Sequence, residues 1–377
     1  MASTVSPAVS VADTVSARQP CKLPSSQASY LTQSQKLERA VSASTPILVP
    51  DTIDLQTPGE DPVREEQALA KKVRAAAEKH GVFLVTNHGI DKQLMQDLKA
   101  ALRILFNMPK EEHAVLTMPP SAEVDRFLYG YTEVWGERIY SLQGRPDKPP
   151  DPCQKFSIAK GKGEDVVNNP KNLWPLPCQV EKFPGLEKLR PLFEEFHRQC
   201  TQLAIKVGKL IAIALELDSG LFDGFDGHMC SLRALRYPKH TGPAEQLRMA
   251  PHNDIGAFTL LPADPTEALE YYENDVWQKL GYVEDTFVVH IADAISAWTN
   301  GRWPSQTHRV SRPTKEDREQ LVYFVNMDAD LIMRPAKAYQ VEGDDVAEPK
   351  NFEEWFKDQF DPTEFLGDAA PYVKYTP

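Results

Sequence analysis

The sequence predicts an α+β fold, in which a double-stranded β-helix (jelly-roll) core follows N-terminal helical segments and is braced by one long helix. Three observations predict it. Apolar residues recur at helical spacing through much of the first half of the chain, and they do so again over residues 185–217. From residue 231 onward, short runs rich in β-branched and aromatic residues alternate with turns. Such runs are typical of two packed sheets whose inner faces enclose a small-molecule cavity.

The first elements alternate between strand and helix. Residues 46–50 predict a short strand, and residues 61–79 predict a helix that ends at a His-Gly pair. Residues 82–87 predict a buried strand because they are almost uniformly apolar. Residues 91–107 predict a second helix, which must end before Pro109.

Three further segments complete the predicted architecture. Residues 117–185 are dense in Pro, Gly and charged residues, so we expect a long excursion over one face of the core, of the kind that often forms a substrate wall. Residues 185–217 predict the long helix that braces a sheet. Residues 351–360 predict a short helix that packs back onto the body through Phe352, Trp355 and Phe356.

The domain organisation follows from these elements. Residues 1–45 are rich in Ser, Ala, Thr and Gln, and we expect a disordered tail, with an organelle transit peptide as the alternative. Residues 46–377 are expected to form a single domain. Within it, residues 46–185 supply the helical and loop part, residues 186–330 the jelly-roll core with the catalytic site, and residues 331–377 a C-terminal segment.

Composition excludes several functional classes. The chain has 54 acidic and 42 basic residues, a formal net charge of −12, and no block of Lys and Arg, so we expect no nucleic-acid partner. Its five cysteines are widely separated, which favours a reducing compartment over a disulfide framework or a zinc ribbon. We recognise neither a membrane-spanning run nor a secretory signal, so a cytoplasmic protein is expected. The oligomeric state stays open.

Two histidines and one aspartate can supply the ligands of a single metal ion. His252 and Asp254 are two residues apart, so an extended chain directs both side chains to one side, and His308 follows later in the sequence. Two imidazoles and one carboxylate are the ligand set of mononuclear non-haem Fe(II) oxygenases. A His-x-Asp triplet alone is a weak signal, but β-like runs adjoin both segments, at residues 257–261 and 286–291. The sequence therefore predicts a metal site at strand ends.

Several separate segments resemble the isopenicillin-N-synthase-like family of Fe(II)/2-oxoglutarate-dependent dioxygenases. The resemblance spans about residues 46–330 and rests on ordered matches at residues 81–90, 106–112, 172–175, 252–254, 291–302 and 308–310. It implies an oxidoreductase that hydroxylates, desaturates or cyclises a small organic molecule, in the biosynthesis of specialised metabolites.

The resemblance also implies the cofactors and the residues that hold them. His252, Asp254 and His308 correspond to the iron ligands of the family. In such enzymes 2-oxoglutarate chelates the iron and is converted to succinate and CO2, O2 takes the remaining position, and ascorbate serves as a reductant. Arg318 stands where the family has an arginine for the distal carboxylate of 2-oxoglutarate, and a guanidinium can grip a carboxylate through two parallel hydrogen bonds.

The chain departs from the family around this carboxylate. Gln320 replaces the Ser of the Arg-x-Ser pair, and Leu235 replaces an Asn, whereas Tyr237 matches a Tyr whose hydroxyl reaches the same carboxylate. These departures leave open the alternative that the chain is an iron oxidase of the same fold. Such an enzyme would not consume 2-oxoglutarate and would use Arg318 to bind the carboxylate of its substrate. A catalytically silent member that binds a metabolite or a partner is the second alternative, which the intact triad disfavours.

Other candidate side chains receive more ordinary roles. His290 lies within an apolar strand and His240 within a Pro- and Gly-flanked loop, so neither is expected to bind the metal. Arg309 directly follows a metal ligand and is expected to point away from the cosubstrate. Phe324 lies two strand alternations from Gln320 and is a candidate for the substrate pocket.

Overall fold

The computed structural model describes residues 46–56, 59, 61–119, 125–139, 148–161, 166–217, 222, 230–239, 246–311, 316–340 and 350–359. The predicted tail of residues 1–45 and His240 lie outside these ranges, so the expectations for them stay predictions. Among the helices of the described ranges, none combines the length and the apolar character needed to cross a membrane.

Two β-sheets form the centre of the fold. Within the described ranges, one sheet has eight strands in the order β2-β3-β11-β8-β13-β6-β5-β4, and the other has five in the order β1-β10-β9-β12-β7. Strands distant in the sequence lie side by side, which is the topology of a double-sheet jelly roll and confirms the predicted fold class. The strands are β1 (Ile47–Leu48), β2 (Thr52–Asp54), β3 (Val82–Thr86), β4 (Gly130–Thr132), β5 (Gln154–Ala159), β6 (Ser231–Tyr237), β7 (Met249–His252), β8 (Phe258–Pro262), β9 (Leu269–Glu273), β10 (Val276–Leu280), β11 (Phe287–Ile291), β12 (His308–Val310) and β13 (Arg318–Val325).

Eight α-helices and three 3-10 turns accompany the strands in the described ranges. The predicted long helix over residues 185–217 is confirmed, although its first turn is a 3-10 turn, Leu186–Lys188. The short C-terminal helix is confirmed as well, because Phe352 and Phe356 are buried in the helix-side core. The α-helices are α1 (Pro62–His80), α2 (Lys92–Phe106), α3 (Lys110–His113), α4 (Asp125–Leu128), α5 (Pro177–Lys182), α6 (Leu189–Ala214), α7 (Asp293–Trp298) and α8 (Phe352–Asp358), and further 3-10 turns lie at Ala114–Leu116 and Lys337–Tyr339.

The ends of α1 show why this helix starts and stops where it does. The Asp61 side chain accepts a hydrogen bond from the backbone N–H of Arg64, and Pro62 stands in the first turn, where its missing N–H is harmless. Gly81 ends the helix with a φ of 65°, and a Cβ at this position would lie 2.2 Å from the carbonyl oxygen of Pro304. The chain can therefore turn directly from α1 into β3.

The eight-stranded sheet packs against a different core on each face. On its outer face, Phe156 and Ile158 of β5 join the side chains of α1, α2 and α6, and Phe156 contacts Phe193 edge to face with ring centroids 5.5 Å apart. On its inner face, residues such as Leu235 and Tyr237 meet the five-stranded sheet through Tyr271. The metal-ligand candidates lie in the space between the two sheets.

The predicted excursion over residues 117–185 is wrong for Gln154–Ala159. This segment is β5, a buried strand of the eight-stranded sheet between β4 and β6. Phe156 and Ile158 point to the helices, whereas Lys155 and Ser157 point to the space between the sheets. The segment does alternate polar and apolar residues from Lys155 to Ile158, but it is only six residues long and lies among many Pro, Gly and charged residues, so the sequence looked like a polar loop.

Candidate active site

Neighbouring strands bring the three candidate metal ligands together. His252 is the last residue of β7, Asp254 follows it by two residues, and His308 is the first residue of β12. β7 and β12 pair antiparallel with His308 directly opposite His252, and the two rings lie 4.3 Å apart between centroids. One ligand atom from each residue lies within 4.8 Å of the others. The structure therefore brings these three side chains together at strand ends.

The spacing of the donor atoms fits one metal ion. Nε2 of His252 and Nε2 of His308 lie 3.9 and 4.0 Å from Oδ1 of Asp254. Two donors that are each about 2.1 Å from one ion lie at most about 4.2 Å apart. Either imidazole can therefore share an ion with the carboxylate, and because all three ligand atoms lie within 4.8 Å of one another, a small movement of the side chains would bring the three onto one ion.

Backbone carbonyls determine which ring nitrogen of each histidine faces the centre. The Nδ1–H of His252 donates to the carbonyl of Ala250 at 2.8 Å, and the Nδ1–H of His308 donates to the carbonyl of Gln306 at 3.0 Å. Because the proton sits on Nδ1, the lone pair of Nε2 is directed toward Asp254 in both rings. Burial between the sheets lowers the pKa of His252 to about 4, which keeps this imidazole neutral and available at neutral pH.

The carboxylate of Asp254 is held in a similar way. The hydroxyl of Thr259 on β8 donates to Oδ2 at 2.6 Å, so Oδ1 remains for an ion. Burial alone would raise the pKa of Asp254, but the nearby imidazoles of His308 and His252 and the Thr259 hydrogen bond outweigh it, and the pKa is lowered. The donor set is thus one carboxylate and two imidazoles.

His290 stands beside the triad, where the sequence predicted only a core position. It is buried as predicted, but its Nδ1 lies 3.9 Å from Oδ2 of Asp254 and its ring centroid 4.8 Å from that of His308. Nε2 forms a hydrogen bond with the hydroxyl of Tyr271, and Nδ1 has no hydrogen-bond partner among the described residues. Strand alternation offered a signal, because His290 lies on the same face of β11 as Val288, which contacts the inter-sheet core.

Arg318 begins β13 at the other end of the inter-sheet space. It is only 2% exposed, lies directly opposite Tyr237, and holds its guanidinium carbon 5.0 Å from the centre of that ring. Nε donates to Asp264, and Nη2 donates to Oε1 of Gln320 at 3.2 Å. Nη1 is buried without a hydrogen-bond partner in the described part of the chain, and an incoming carboxylate would satisfy it.

The two neighbours of Arg318 differ from what the sequence suggested. The amide nitrogen of Gln320 donates to the carbonyl of Pro262 at 2.9 Å, so this side chain orients Arg318 and does not offer its N–H to a ligand. The hydroxyl of Tyr237 contacts the sulfur of Met249 at 3.8 Å. Asp264, which sequence reasoning missed, is the carboxylate that Arg318 binds within the protein.

The remaining predicted residues lie where the sequence put them. Arg309 points away from the site, because its Nε donates to Glu270 at 2.6 Å and its guanidinium lies 3.9 Å above the ring of Trp277. Phe324 lies on the inner face of β13, packs against the inter-sheet core and is partly exposed. Its ring lies 5.0 Å from the guanidinium of Arg233, a residue that sequence reasoning did not consider.

Comparison with known proteins gives the same family from two halves of the chain. Residues 50–177 match the model described as the non-haem dioxygenase in morphine synthesis N-terminal family, and residues 228–327 match the 2OG-Fe(II) oxygenase superfamily. A 2-oxoglutarate-dependent dioxygenase of Didymella fabae is 31% identical over 295 residues, which are 74% of this chain and 86% of that protein. The chain belongs to the Fe(II)/2-oxoglutarate-dependent dioxygenases.

A second relative and a solved structure agree with this membership. The 2-oxoglutarate-dependent dioxygenase caaD of Aspergillus niger is 29% identical over 283 residues, which are 73% of this chain and 83% of that protein. The crystal structure of a full-length Neurospora crassa protein in complex with alpha-KG superposes with a TM-score of 0.70 at 22% identity, covering 85% of this chain and 98% of that protein, and it shows the shared fold. As a member of the family, the chain is an oxidoreductase that uses Fe(II), 2-oxoglutarate and O2.

Proposed function

We propose that His252, Asp254 and His308 hold the iron, and that the enzyme oxidises a small organic molecule in the space between the sheets. One observation carries the proposal: both histidines donate Nδ1–H to backbone carbonyls and so direct Nε2 toward Oδ1 of Asp254. Iron held there supplies the centre at which 2-oxoglutarate and O2 react. The intact donor set speaks against the silent alternative.

Arg318 is the proposed anchor for the distal carboxylate of 2-oxoglutarate. Its Nη1 is buried and lacks a hydrogen-bond partner within the described ranges, and charge-assisted hydrogen bonds to a carboxylate are strong in such surroundings. Gln320 holds the guanidinium in place through Nη2. The ring of Tyr237 packs beside it and keeps water from its face. This arrangement speaks against the oxidase alternative, as do the names of the relatives.

The substrate class and the setting are also proposals. The space between the sheets suits a small molecule, with Phe324 on its wall, and the resemblance of the chain suggests specialised metabolism. The net charge of −12 supports the absence of a nucleic-acid partner, and we propose a cytoplasmic enzyme. The pairing of β3 with β11 and of β5 with β6 supports one oxygenase domain over residues 46–377.

An anaerobic titration of the Fe(II)-loaded protein with 2-oxoglutarate tests the proposal, with the weak visible charge-transfer band of the chelate as the readout. We expect a saturable band in the wild type and about a tenfold or greater loss of 2-oxoglutarate affinity in Arg318→Ala. Arg236→Ala is the matched control, because Arg236 lies on the neighbouring strand and its guanidinium binds Asp317 and Asn107. His308→Ala should bind little iron.

Each contrary result identifies a different error. Iron binding without a band would favour the iron oxidase that does not use 2-oxoglutarate. A wild-type protein that binds no iron would favour the silent member. An Arg318→Ala protein with wild-type affinity for 2-oxoglutarate would assign the anchor to another residue.

A further inference from the structure

The inner face of the eight-stranded sheet carries a second pair of cations, at the end away from Arg318. Arg233 lies on the same face of β6 as Leu235 and Tyr237, which contact the inter-sheet core, and it is four residues or about 13 Å along the strand from Tyr237. Lys155 lies on the same face of the sheet, on the neighbouring strand β5. Ser157 is directly opposite Arg233, so Lys155, two residues earlier in β5, is the diagonal neighbour of Arg233. Two positive charges therefore share this end of the site.

The surroundings of the two cations connect them to the strand that carries His252. Lys155 forms an ion pair with Glu137 at 2.5 Å, and both side chains are 3% exposed. Glu137 pairs through a β-bridge with Asp151, and Asp151 accepts a hydrogen bond from the backbone N–H of Ala250 at 2.7 Å. The carbonyl of Ala250 is the group that accepts from His252. The cations therefore lie in the wall next to the metal ligands.

The electrostatic effects on neighbouring groups agree with this placement. Burial would raise the pKa of Glu137, but the charges of Lys155 and Arg233 outweigh it, and the pKa is lowered. Burial raises the pKa of Asp151 to about 7, so at neutral pH this carboxyl neutralises less of the positive charge than an ordinary aspartate would.

Arg233 is the cation of the pair that a ligand can reach. Lys155 is almost fully buried, whereas Arg233, Phe324 and Ile139 all keep accessible surface on the side of the inter-sheet core. The guanidinium of Arg233 lies 5.0 Å from the centre of the Phe324 ring. A guanidinium packed against a ring directs its N–H groups outward in its own plane, where a carboxylate can bind through two hydrogen bonds.

We propose that the substrate is a carboxylic acid with an apolar skeleton, whose carboxylate binds Arg233 beside Lys155 and whose skeleton lies along Phe324 and Ile139 toward the iron. The proposal rests on the proposed function, because it assigns the substrate of that same site. A carboxylate anchored at this end, opposite the 2-oxoglutarate anchor Arg318, would hold a chosen C–H bond of the skeleton close to the metal ligands.

Calorimetric titration of the anaerobic protein loaded with Fe(II) and 2-oxoglutarate tests the proposal. The probes are aromatic, terpenoid and aliphatic monocarboxylic acids, each paired with its methyl ester. We expect acids that bind at least about tenfold more tightly than their esters, and this preference should disappear in Arg233→Gln. Arg233→Lys should keep part of it. Arg236→Gln, a change three residues away on the opposite face of the same strand, should keep all of it.

The outcomes separate this proposal from the proposed function. If the chelate band forms but every ester binds as tightly as its acid, or no acid binds, the substrate proposal is overturned and the function stands. If Arg233→Gln binds acids like the wild type, the assignment to Arg233 is overturned. If the band does not form, the proposed function fails, and the same calorimetry still reports whether acids bind at Arg233. Arg233→Lys controls for a folding defect in Arg233→Gln, because it keeps the positive charge at the same position.

Discussion

Asp264 accepts a hydrogen bond from Nε of Arg318, so one edge of this buried guanidinium is already occupied by the protein itself. Asp264 is held in turn by Thr266, whose backbone N–H and hydroxyl donate to it at 3.0 and 2.6 Å. Nη2 of Arg318 donates to Gln320, which leaves Nη1 for a ligand. The protein therefore determines the direction from which a second carboxylate can approach.

Two substitutions of Asp264 should separate its orienting role from its charge. In Asp264→Asn the amide oxygen can still accept from Nε, and the loss of the negative charge removes a competitor of 2-oxoglutarate, so affinity should stay within about threefold of wild type or rise. In Asp264→Ala the guanidinium loses its restraint, and we expect affinity to fall about tenfold. Titration of the chelate band measures both. Equal losses in the two variants would contradict the orienting role.

Replacement of His290 should weaken iron binding although the residue is not one of the three ligands. Its Nδ1 faces Oδ2 of Asp254, and groups that support a ligand typically contribute about 10- to 100-fold in metal affinity. We expect His290→Leu to lose affinity for Fe(II) in this range, measured by competition with a chelator. His197→Leu is the matched control, since His197 is equally buried but lies on α6. Similar affinities in both variants would show that His290 only fills space.

His197, the control residue above, should make the stability of the protein depend on pH. Burial lowers the pKa of His197 to about 3, whereas an unfolded histidine has a pKa of about 6.5. The unfolded state therefore takes up the proton first, so the contribution of His197 to stability is complete above about pH 6.5 and declines by about 1.4 kcal/mol per pH unit below it. As the pH falls below about 6.5, the free energy of unfolding of the wild type should therefore decrease relative to that of His197→Phe by about 1.4 kcal/mol per pH unit.

Urea denaturation of the metal-free proteins between about pH 6 and 4.5 would measure the difference. Asp151 and Asp293, whose pKa values burial raises to about 7 and about 6, titrate nearby, but they are present in both proteins and cancel. A difference that does not change with pH would mean that His197 is protonated in the folded state.

The buried pair of Lys155 and Glu137 should show strong coupling. Lys155→Met leaves Glu137 charged in a position that is 3% exposed, and the loss of one partner of a buried pair costs about 3–5 kcal/mol of unfolding free energy. The double variant Lys155→Met with Glu137→Gln should recover much of this loss, because neither charge remains. Urea denaturation of the wild type, Lys155→Met, Glu137→Gln and the double variant gives the coupling energy. Additive losses would mean that the two charges are independently solvated.

The sequence was informative wherever the residues that determine a feature lie close together along the chain. His252 and Asp254 are close in sequence, His308 lies in a recognisable segment, and the adjoining strands hold side chains in known directions, so their convergence could be predicted. The short apolar strands and the stripe of α6 could be predicted for the same reason. The buried position of Arg318 followed from the family pattern.

Contacts between distant parts of the chain could not be predicted. Asp264 and Arg318 are 54 residues apart, and nothing in either segment indicates the other. β5 was missed because its short alternation of polar and apolar residues lies within a stretch that is dense in Pro, Gly and charged residues. His290 was assigned to an apolar strand correctly, but its proximity to Asp254 depends on how the two sheets close.

Strands from the N-terminal part of the chain form both edges of the eight-stranded sheet. β2 and β3 lie beside β11 at one edge, and β5 and β4 lie beside β6 at the other. During synthesis on the ribosome, β3 can pair with β2 at once but must wait for β11, its partner on the other side, until residue 291 has emerged. Pairings over such long separations form slowly and leave strand edges exposed to other chains. We expect this protein to depend on chaperones during translation more than its final compactness suggests.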